Sequence, residues 1–233
     1  MSEQGNPQER RQYSQFRFFS MTPEWRGLEE AKKSAIRREV VSWANSVDSE
    51  LIVRTYSTFG LKAECDFLIW RIGYSLEKFQ QMSSALFRSS LGQYLRSAYS
   101  FLSMTKRSIY VDKHLHEGQE GRRLILDPGK GKYLFVYPFV KTREWYLLPQ
   151  EKRQEMMDDH IRIGHQYPSV KLHTTYSFGL DDQEFVVAFE TDEPADFLDL
   201  VMELRSSQGS RYTLKDTPIF TCVKKSIEEI LSM

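Results

Sequence analysis

Residues 137–146 read Tyr-Pro-Phe-Val-Lys-Thr-Arg-Glu-Trp-Tyr, and this stretch decides how the rest of the chain is interpreted. Side chains in residues 132–139 alternate as in a β-strand, and the alternation puts Lys141 on the aromatic face. That face comprises Tyr133, Phe135, Tyr137 and Phe139, and the opposite face comprises Leu134 and Val136. A cation on an aromatic face is costly in a closed core, but it suits a pocket for a flat, apolar and anionic ligand.

A helix is predicted after this strand, from Gln150 to Gln166. Its apolar stripe comprises Met156, Met157, Ile161 and Ile163, and His160 lies on or beside it. Strand and helix together therefore indicate a large planar cofactor that carries its own carboxylates.

The chain repeats this pattern in its first half. Residues 18–28 resemble residues 137–147, with Trp25 and Trp145 separated by 120 positions. Three further matches follow in the same order at offsets of 119, 118 and 117: residues 56–61 with 176–180, 65–69 with 183–187, and 86–90 with 203–207. Four matches at nearly one offset indicate an internal duplication.

Both halves are predicted to have the element order βαββαβ. The first half has strands at 13–21, 51–56, 66–72 and 97–105 and helices at 28–44 and 76–94; the second has strands at 133–139, 170–176, 184–190 and 218–223 and helices at 150–166 and 193–205. This order is typical of the ferredoxin-like arrangement in the α+β class, and two such units can join their sheets into an α+β barrel.

The predicted organisation has four parts. Residues 1–12 are a disordered N-terminus, 13–111 an N-terminal ferredoxin-like domain, 112–132 a glycine-containing linker, and 133–233 a C-terminal ferredoxin-like domain that binds the cofactor.

Composition narrows the class of protein. Among 233 residues, Lys+Arg and Asp+Glu are both 32, so the charge balance gives no indication of nucleic acid or anionic membrane as partner. Two cysteines are too few for a disulfide framework, and no segment resembles a secretory signal or a membrane span. These features predict a cytoplasmic protein without membrane insertion.

The two halves differ where chemistry is expected. The second half has Tyr137, Lys141 and His160, whereas the first has Phe18 or a neighbour, Thr22, and a helix without histidine. Confinement of the reactive side chains to one copy predicts one pocket in the second half.

These residues resemble a known family. The similarity rests on Tyr137-Pro138-x-x-Lys141 and Trp145, on Asp159-His160-x-x-x-Gly164-x-x-Tyr167, and on Phe178-Gly179-Leu180-Asp181-Asp182-x-Glu184-Phe185. The combination is similar to the chlorite dismutase superfamily, most of all to its coproheme decarboxylases. The resemblance implies the duplicated barrel, usually as a homopentamer, and peroxide-dependent decarboxylation of two propionates of iron-coproporphyrin III (coproheme) to give haem b.

The resemblance also implies roles for three residues. His160 matches the proximal iron ligand, which fits a neutral imidazole directed by a helix. Tyr137 matches a tyrosine that relays a radical to the propionate. Lys141 matches a lysine near the reacting propionate, where an ammonium can pair with a carboxylate.

Further matches line the pocket or bind propionates. Pro138, Phe139, Val140 and Trp145 correspond to residues around the macrocycle. Arg123 and Ser210 match positions that bind the non-reacting propionates, although Arg123 has Arg122 beside it and either arginine can be a plain surface charge.

His173, thirteen positions past His160, falls where chlorite dismutases carry a distal arginine and many decarboxylases a glutamine. The resemblance implies a distal base that accepts a proton from hydrogen peroxide. Residues 206–210 lack the carboxylate that supports the proximal imidazole in chlorite dismutases. Both differences favour coproheme decarboxylation. Chlorite dismutation and a non-catalytic haem carrier or sensor remain the alternatives.

Overall fold

The structure, a computed structural model, describes residues 10–110 and 125–233, an α+β chain in which the described residues form nine strands and seven α-helices. The strands are β1 (Tyr13–Met21), β2 (Ile52–Ser57), β3 (Phe67–Gly73), β4 (Leu95–Met104), β5 (Tyr133–Lys141), β6 (Lys171–Tyr176), β7 (Phe185–Thr191), β8 (Thr213–Lys215) and β9 (Phe220–Lys224). The helices are α1 (Pro23–Arg26), α2 (Glu30–Asn45), α3 (Leu76–Arg88), α4 (Arg143–Leu147), α5 (Gln150–Gly164), α6 (Pro194–Ser206) and α7 (Ile227–Ile230). Among the described residues, two 3-10 helices lie at Gly92–Tyr94 and Gln208–Tyr212.

All strand pairs are antiparallel, and the sheet closes on itself. The first half contributes the order β2-β3-β1-β4 and the second half the order β6-β7-β5-β9. Short pairings of β4 with β6 and of β2 with β9 join the halves, so eight strands form a closed sheet. β8 pairs with the end of β5. The four main strands of each half thus follow one order.

The alternation predicted for β5 is confirmed. Leu134 and Val136 are buried in the interior of the closed sheet. Phe135 and Tyr137 point the other way and pack with residues of α5 and α6. The aromatic face of β5 therefore faces the helices of the second half.

Hydrogen bonds around the ends of β1 and β5 repeat between the halves. The corresponding bonds are Met21 N to Asp66 Oδ2 and Lys141 N to Glu184 Oε2, Asp66 N to Phe19 O and Glu184 N to Phe139 O, and Thr22 N to Tyr94 O and Thr142 N to Tyr212 O. These pairs align Met21, not Thr22, with Lys141, which corrects the correspondence drawn from the sequence. An unbranched apolar side chain thus stands in the first half where the second half has the cation.

The described chain begins just before β1. Gln12, which the sequence places in the disordered terminus, is buried, and its backbone N–H donates to Thr105 Oγ1 at 2.9 Å. Its side-chain Oε1 accepts a hydrogen bond from Leu126 N at 2.6 Å. Gln12 therefore joins the end of the first half to the segment that precedes β5. No helix within the described residues is long and apolar enough to cross a membrane.

Candidate functional site

The candidate site, here called the cleft, is the region where the outer face of β5–β7 meets helices α5 and α6. Tyr137 of β5 is partly buried there and stacks on Phe189 of β7, with 6.1 Å between ring centroids. Burial, and next the negative charge of Asp216, raise the pKa of the Tyr137 phenol. The phenol is therefore protonated at neutral pH and can give up a proton and an electron together.

Lys141 is the last residue of β5 and turns its side chain into the same region. Its Nζ donates to Gly209 O at 3.0 Å and lies 4.4 Å from the centre of the Trp145 ring. Burial lowers the pKa of Lys141 to about 8, although the charge of Glu184 opposes this shift. The ammonium is still charged at neutral pH, and it is held by a carbonyl and an aromatic face.

His160 lies on α5, three residues before the buried Ile163, which packs against the aromatic face of β5. Burial, and next the positive charge of Lys141, lower the pKa of His160 to about 4. The imidazole is therefore neutral at physiological pH and offers a nitrogen lone pair, the form in which histidine binds a metal. Met156, one turn before His160 on α5, lies beside Gly209, whose carbonyl Lys141 contacts, so His160 and Lys141 approach the same segment.

Of the other predicted lining residues, two aromatic ones lie near Lys141, whereas Pro138 follows the alternation of the interior residues Leu134 and Val136. Trp145 is 3% exposed, and its ring lies 5.6 Å from Tyr212. Phe139 is partly buried and has Lys141 Nζ 5.3 Å from its ring centre. Pro138 is buried and pairs with Val186, whereas Val140 pairs with Lys215 of β8. The aromatic members of this group, Phe139 and Trp145, present their rings to the lysine ammonium.

Of the two residues predicted to bind the other propionates, the structure describes only Ser210. The Ser210 hydroxyl lies 2.8 Å from Arg205 O and 2.7 Å from Ser207 O, where it caps the end of α6. Its neighbour Gly209 supplies the carbonyl that Lys141 contacts. Arg123 lies outside the described residues.

His173 does not join this site, which corrects its sequence-based assignment as a distal base. It is cross-strand partner to Ala188, whose side chain lies in the interior of the closed sheet. His173 is 5% exposed, and its Nε2 lies 3.0 Å from Glu190 Oε2. Successive strand residues face opposite sides of the sheet, so the face of His173 depends on strand register. Counting thirteen positions from His160 places His173 on the wrong face.

Strand register identifies pocket residues that the sequence analysis missed. Val187 is opposite Tyr137, Thr174 is opposite Val187, and Leu172 is opposite Phe189. Directly paired residues share a face, so all three point towards the helices. Leu172 is 45% exposed, which leaves an accessible apolar surface on this face. The β6 alternation could have found Leu172 and Thr174 once the partner strand was known.

Glu184 is a further residue that the sequence analysis did not assign to the site. Its Oε2 accepts a hydrogen bond from Lys141 N at 2.8 Å and another from the Tyr146 hydroxyl. Burial, and next this hydrogen bond, raise the pKa of the Tyr146 phenol. A carboxylate therefore fixes the chain where β5 passes into α4.

The residues of this cleft fit an anionic metalloporphyrin. A neutral imidazole can hold iron, an ammonium can pair with a propionate, and the aromatic face of β5 can contact the macrocycle. The phenol of Tyr137 adds a redox-active group on the same face.

Comparison with known proteins identifies the family of this chain. The sequence model described as chlorite dismutase matches residues 30–225. The chain belongs to the chlorite dismutase family. A coproheme decarboxylase of Mycolicibacterium smegmatis is 30% identical over 222 residues, which cover 94% of this chain and 93% of that protein.

Solved structures share the chlorite dismutase-like fold. A mutant chlorite dismutase from Candidatus Nitrospira defluvii superposes with a TM-score of 0.85 at 26% identity, over 95% of this chain and 94% of that one. A heme-binding protein from Thermus thermophilus gives a TM-score of 0.84 at 22% identity, over 95% of both chains. Family membership and the relatives associate this fold with haem.

Proposed function

We propose that this protein is a coproheme decarboxylase, which uses hydrogen peroxide to convert iron-coproporphyrin III into haem b. The arrangement that carries the proposal is Tyr137 and Lys141 at the outer side of β5, with the helix that bears His160 packed against that side. The curated relative from Mycolicibacterium smegmatis supports the same reaction.

Each residue has a separate task in this proposal. His160 holds the porphyrin iron through its neutral imidazole, and Lys141 orients a propionate by charge pairing. The bound iron porphyrin supplies the redox chemistry with peroxide. Tyr137 passes an electron and a proton, which a phenylalanine cannot do.

The reaction balances with one peroxide for each propionate. The side chain loses carbon dioxide and one hydrogen and becomes a vinyl group. Peroxide accepts the two electrons and is reduced to two molecules of water, with one proton taken up overall. Two rounds on the tetrapropionate give the two vinyl groups of haem b.

The test is titration of the purified apoprotein with iron-coproporphyrin III, addition of peroxide, and mass analysis of the porphyrin. We expect a three-propionate intermediate followed by haem b. Tyr137→Phe should bind the porphyrin but lose decarboxylation by at least about a hundredfold, consistent with removal of an essential catalytic group. Tyr133→Phe, on the same strand face, is the matched control and should remain active.

The same two proteins, unaltered and Tyr137→Phe, distinguish the two alternative functions. Rapid oxygen release from chlorite would favour the dismutase activity of the structural relatives. Retained porphyrin binding without peroxide-driven mass change, in both the unaltered protein and Tyr137→Phe, would favour a haem carrier or sensor.

We further infer that the two halves are duplicated ferredoxin-like units. The shared strand order and the repeated hydrogen bonds at β1 and β5 support this origin. The family resemblance also favours a homopentamer, which light scattering of the purified protein would test.

A further inference from the structure

We propose that Glu184 is a positioning residue for Lys141, because its carboxylate fixes the end of β5 in the register that turns the lysine side chain into the cleft. The inference rests on the proposed function and adds a residue to it. Glu184 acts through Lys141 and needs no contact with the porphyrin.

Glu184 joins three parts of the chain. Its backbone N–H donates to Phe139 O of β5 at 3.2 Å. Its Oε2 accepts from Lys141 N at 2.8 Å and from the hydroxyl of Tyr146 in α4. One residue therefore spans the strand, its last position and the helix that follows.

These contacts of Glu184 with Phe139, Lys141 and Tyr146 form a clamp. The clamp lies where the strand pairing of β5 is irregular. Pairing of β5 with β7 ends at Phe139, and the register with β8 shifts between Val140 and Lys141. On the β7 side, the Glu184 carboxylate accepts the Lys141 N–H beyond the last ladder pair. A slip of one residue here would turn Lys141 to the opposite face of the strand.

The side chain of Lys141 makes this anchoring necessary. Its ammonium is drawn against Gly209 O and the Trp145 ring, away from bulk water. Long charged side chains otherwise favour solvent, because burial of a charge is unfavourable. The negative charge of Glu184 also counteracts the lowering of the Lys141 pKa by burial.

The first half contains the same clamp, with Met21 in the position of Lys141. Asp66 Oδ2 accepts from Met21 N at 2.6 Å, and Asp66 Oδ1 lies 3.6 Å from an Arg26 nitrogen. Arg26 and Tyr146 are separated by 120 positions, as are Met21 and Lys141. The carboxylate is thus a feature of both halves, and in the second it accepts the backbone N–H of a lysine instead of a methionine.

The experiment is a double-mutant cycle on porphyrin affinity, with peroxide absent. Glu184→Ala, Lys141→Met, the double variant and Asp66→Ala are titrated with iron-coproporphyrin III and with haem b, which lacks the two reacting propionates. We expect Glu184→Ala to weaken coproheme binding by about tenfold, as loss of a charge-assisted contact does. Haem b binding should weaken by less than about twofold.

The cycle decides whether the effect passes through the lysine. In the Lys141→Met background, Glu184→Ala should cause no further loss of coproheme affinity. Asp66→Ala removes the equivalent clamp and should leave the ratio of the two affinities unchanged. Glu184→Gln retains an acceptor oxygen and should restore the ratio to within about threefold.

Several results would overturn the inference. Additive losses in the cycle, equal losses for both porphyrins, or the same change of ratio in Asp66→Ala would each show a general structural role. If Glu184→Ala does not fold, Tyr146→Phe replaces it, since it removes one donor to the carboxylate; a loss confined to coproheme supports the role and equal losses overturn it. Failure of the unaltered protein to bind either porphyrin would overturn the proposed function as well.

Discussion

Nε2 of His173 lies 3.0 Å from Oε2 of Glu190 in the interior of the closed sheet. The same carboxylate accepts hydrogen bonds from the Tyr56 hydroxyl at 3.1 Å and from Gly129 N at 2.7 Å. Tyr56 belongs to the first half, so this network connects both halves and the segment before β5. The residues of this network hydrogen-bond to Glu190 and lie on the opposite side of the sheet from Tyr137.

The first prediction concerns the removal of His173. His173→Leu leaves Glu190, which is 1% exposed, without one partner and should lower the free energy of unfolding by about 3–5 kcal/mol. Urea denaturation of the apoprotein measures this loss. The absorption spectrum of bound coproheme should stay unchanged, and an altered spectrum would restore His173 to the iron site. Leu172→Ala, next to it on the exposed face, should cost less than about 1 kcal/mol.

The second prediction follows from the pKa of Glu190. Burial alone would raise this pKa, but hydrogen bonds from His173, Gly129 and Tyr56 outweigh burial and lower it. A lowered pKa in the folded state means that the unfolded chain takes up the proton more readily. The stabilisation is therefore complete above the ordinary carboxyl range and is lost as pH falls through the folded value.

Glu190→Gln tests this dependence. At about pH 7 the variant should be less stable than the unaltered protein by about 1–3 kcal/mol, because charged hydrogen bonds are lost. The difference should shrink as the pH of the urea titration is lowered. A difference that stays constant with pH would contradict the assignment.

Periodicity predicted most of the fold, whereas backbone packing determined where one helix stops. The predicted helix from Leu76 to Tyr94 ends at Arg88 in the structure. The chain then turns so tightly at Gly92 that a Cβ there would lie 2.1 Å from Phe87 O. That approach depends on three-dimensional contact and leaves no signal in hydrophobic spacing.

The candidate site could be predicted only in part, because some of its contacts also depend on three-dimensional packing. Residues on one strand, such as Tyr137 and Lys141, could be placed on one face by counting. His173 could not, because its face depends on pairing with Ala188 on another strand. From the sequence, Glu184 is the first residue of a predicted strand and part of the family motif, and its contact with Lys141 N comes from tertiary structure.

The third prediction compares two glycines. Gly92→Ala forces a methyl group against the Phe87 backbone and should destabilise the protein by about 3 kcal/mol or more. Gly164 at the end of α5 has no such neighbour within 4 Å, so Gly164→Ala should stabilise by about 0.5–1 kcal/mol. Thermal unfolding of both variants measures the contrast. Equal effects would contradict the close approach at Gly92.

The fourth prediction concerns two histidines of the α5 region. His160→Ala should weaken binding of iron-coproporphyrin III by at least about tenfold and remove the spectrum of an imidazole-ligated iron. Added imidazole should restore that spectrum, because it supplies the missing nitrogen donor in the vacated space.

His165 lines a separate exposed cleft with Asp158 and Arg162, so His165→Ala should leave affinity and spectrum unchanged. If imidazole fails to restore the His160→Ala spectrum while the variant keeps its fold by circular dichroism, iron ligation by His160 is wrong. The pKa of His160 is about 4, so the imidazole is neutral at any pH well above that value. Iron ligation should therefore persist throughout the mildly acidic range.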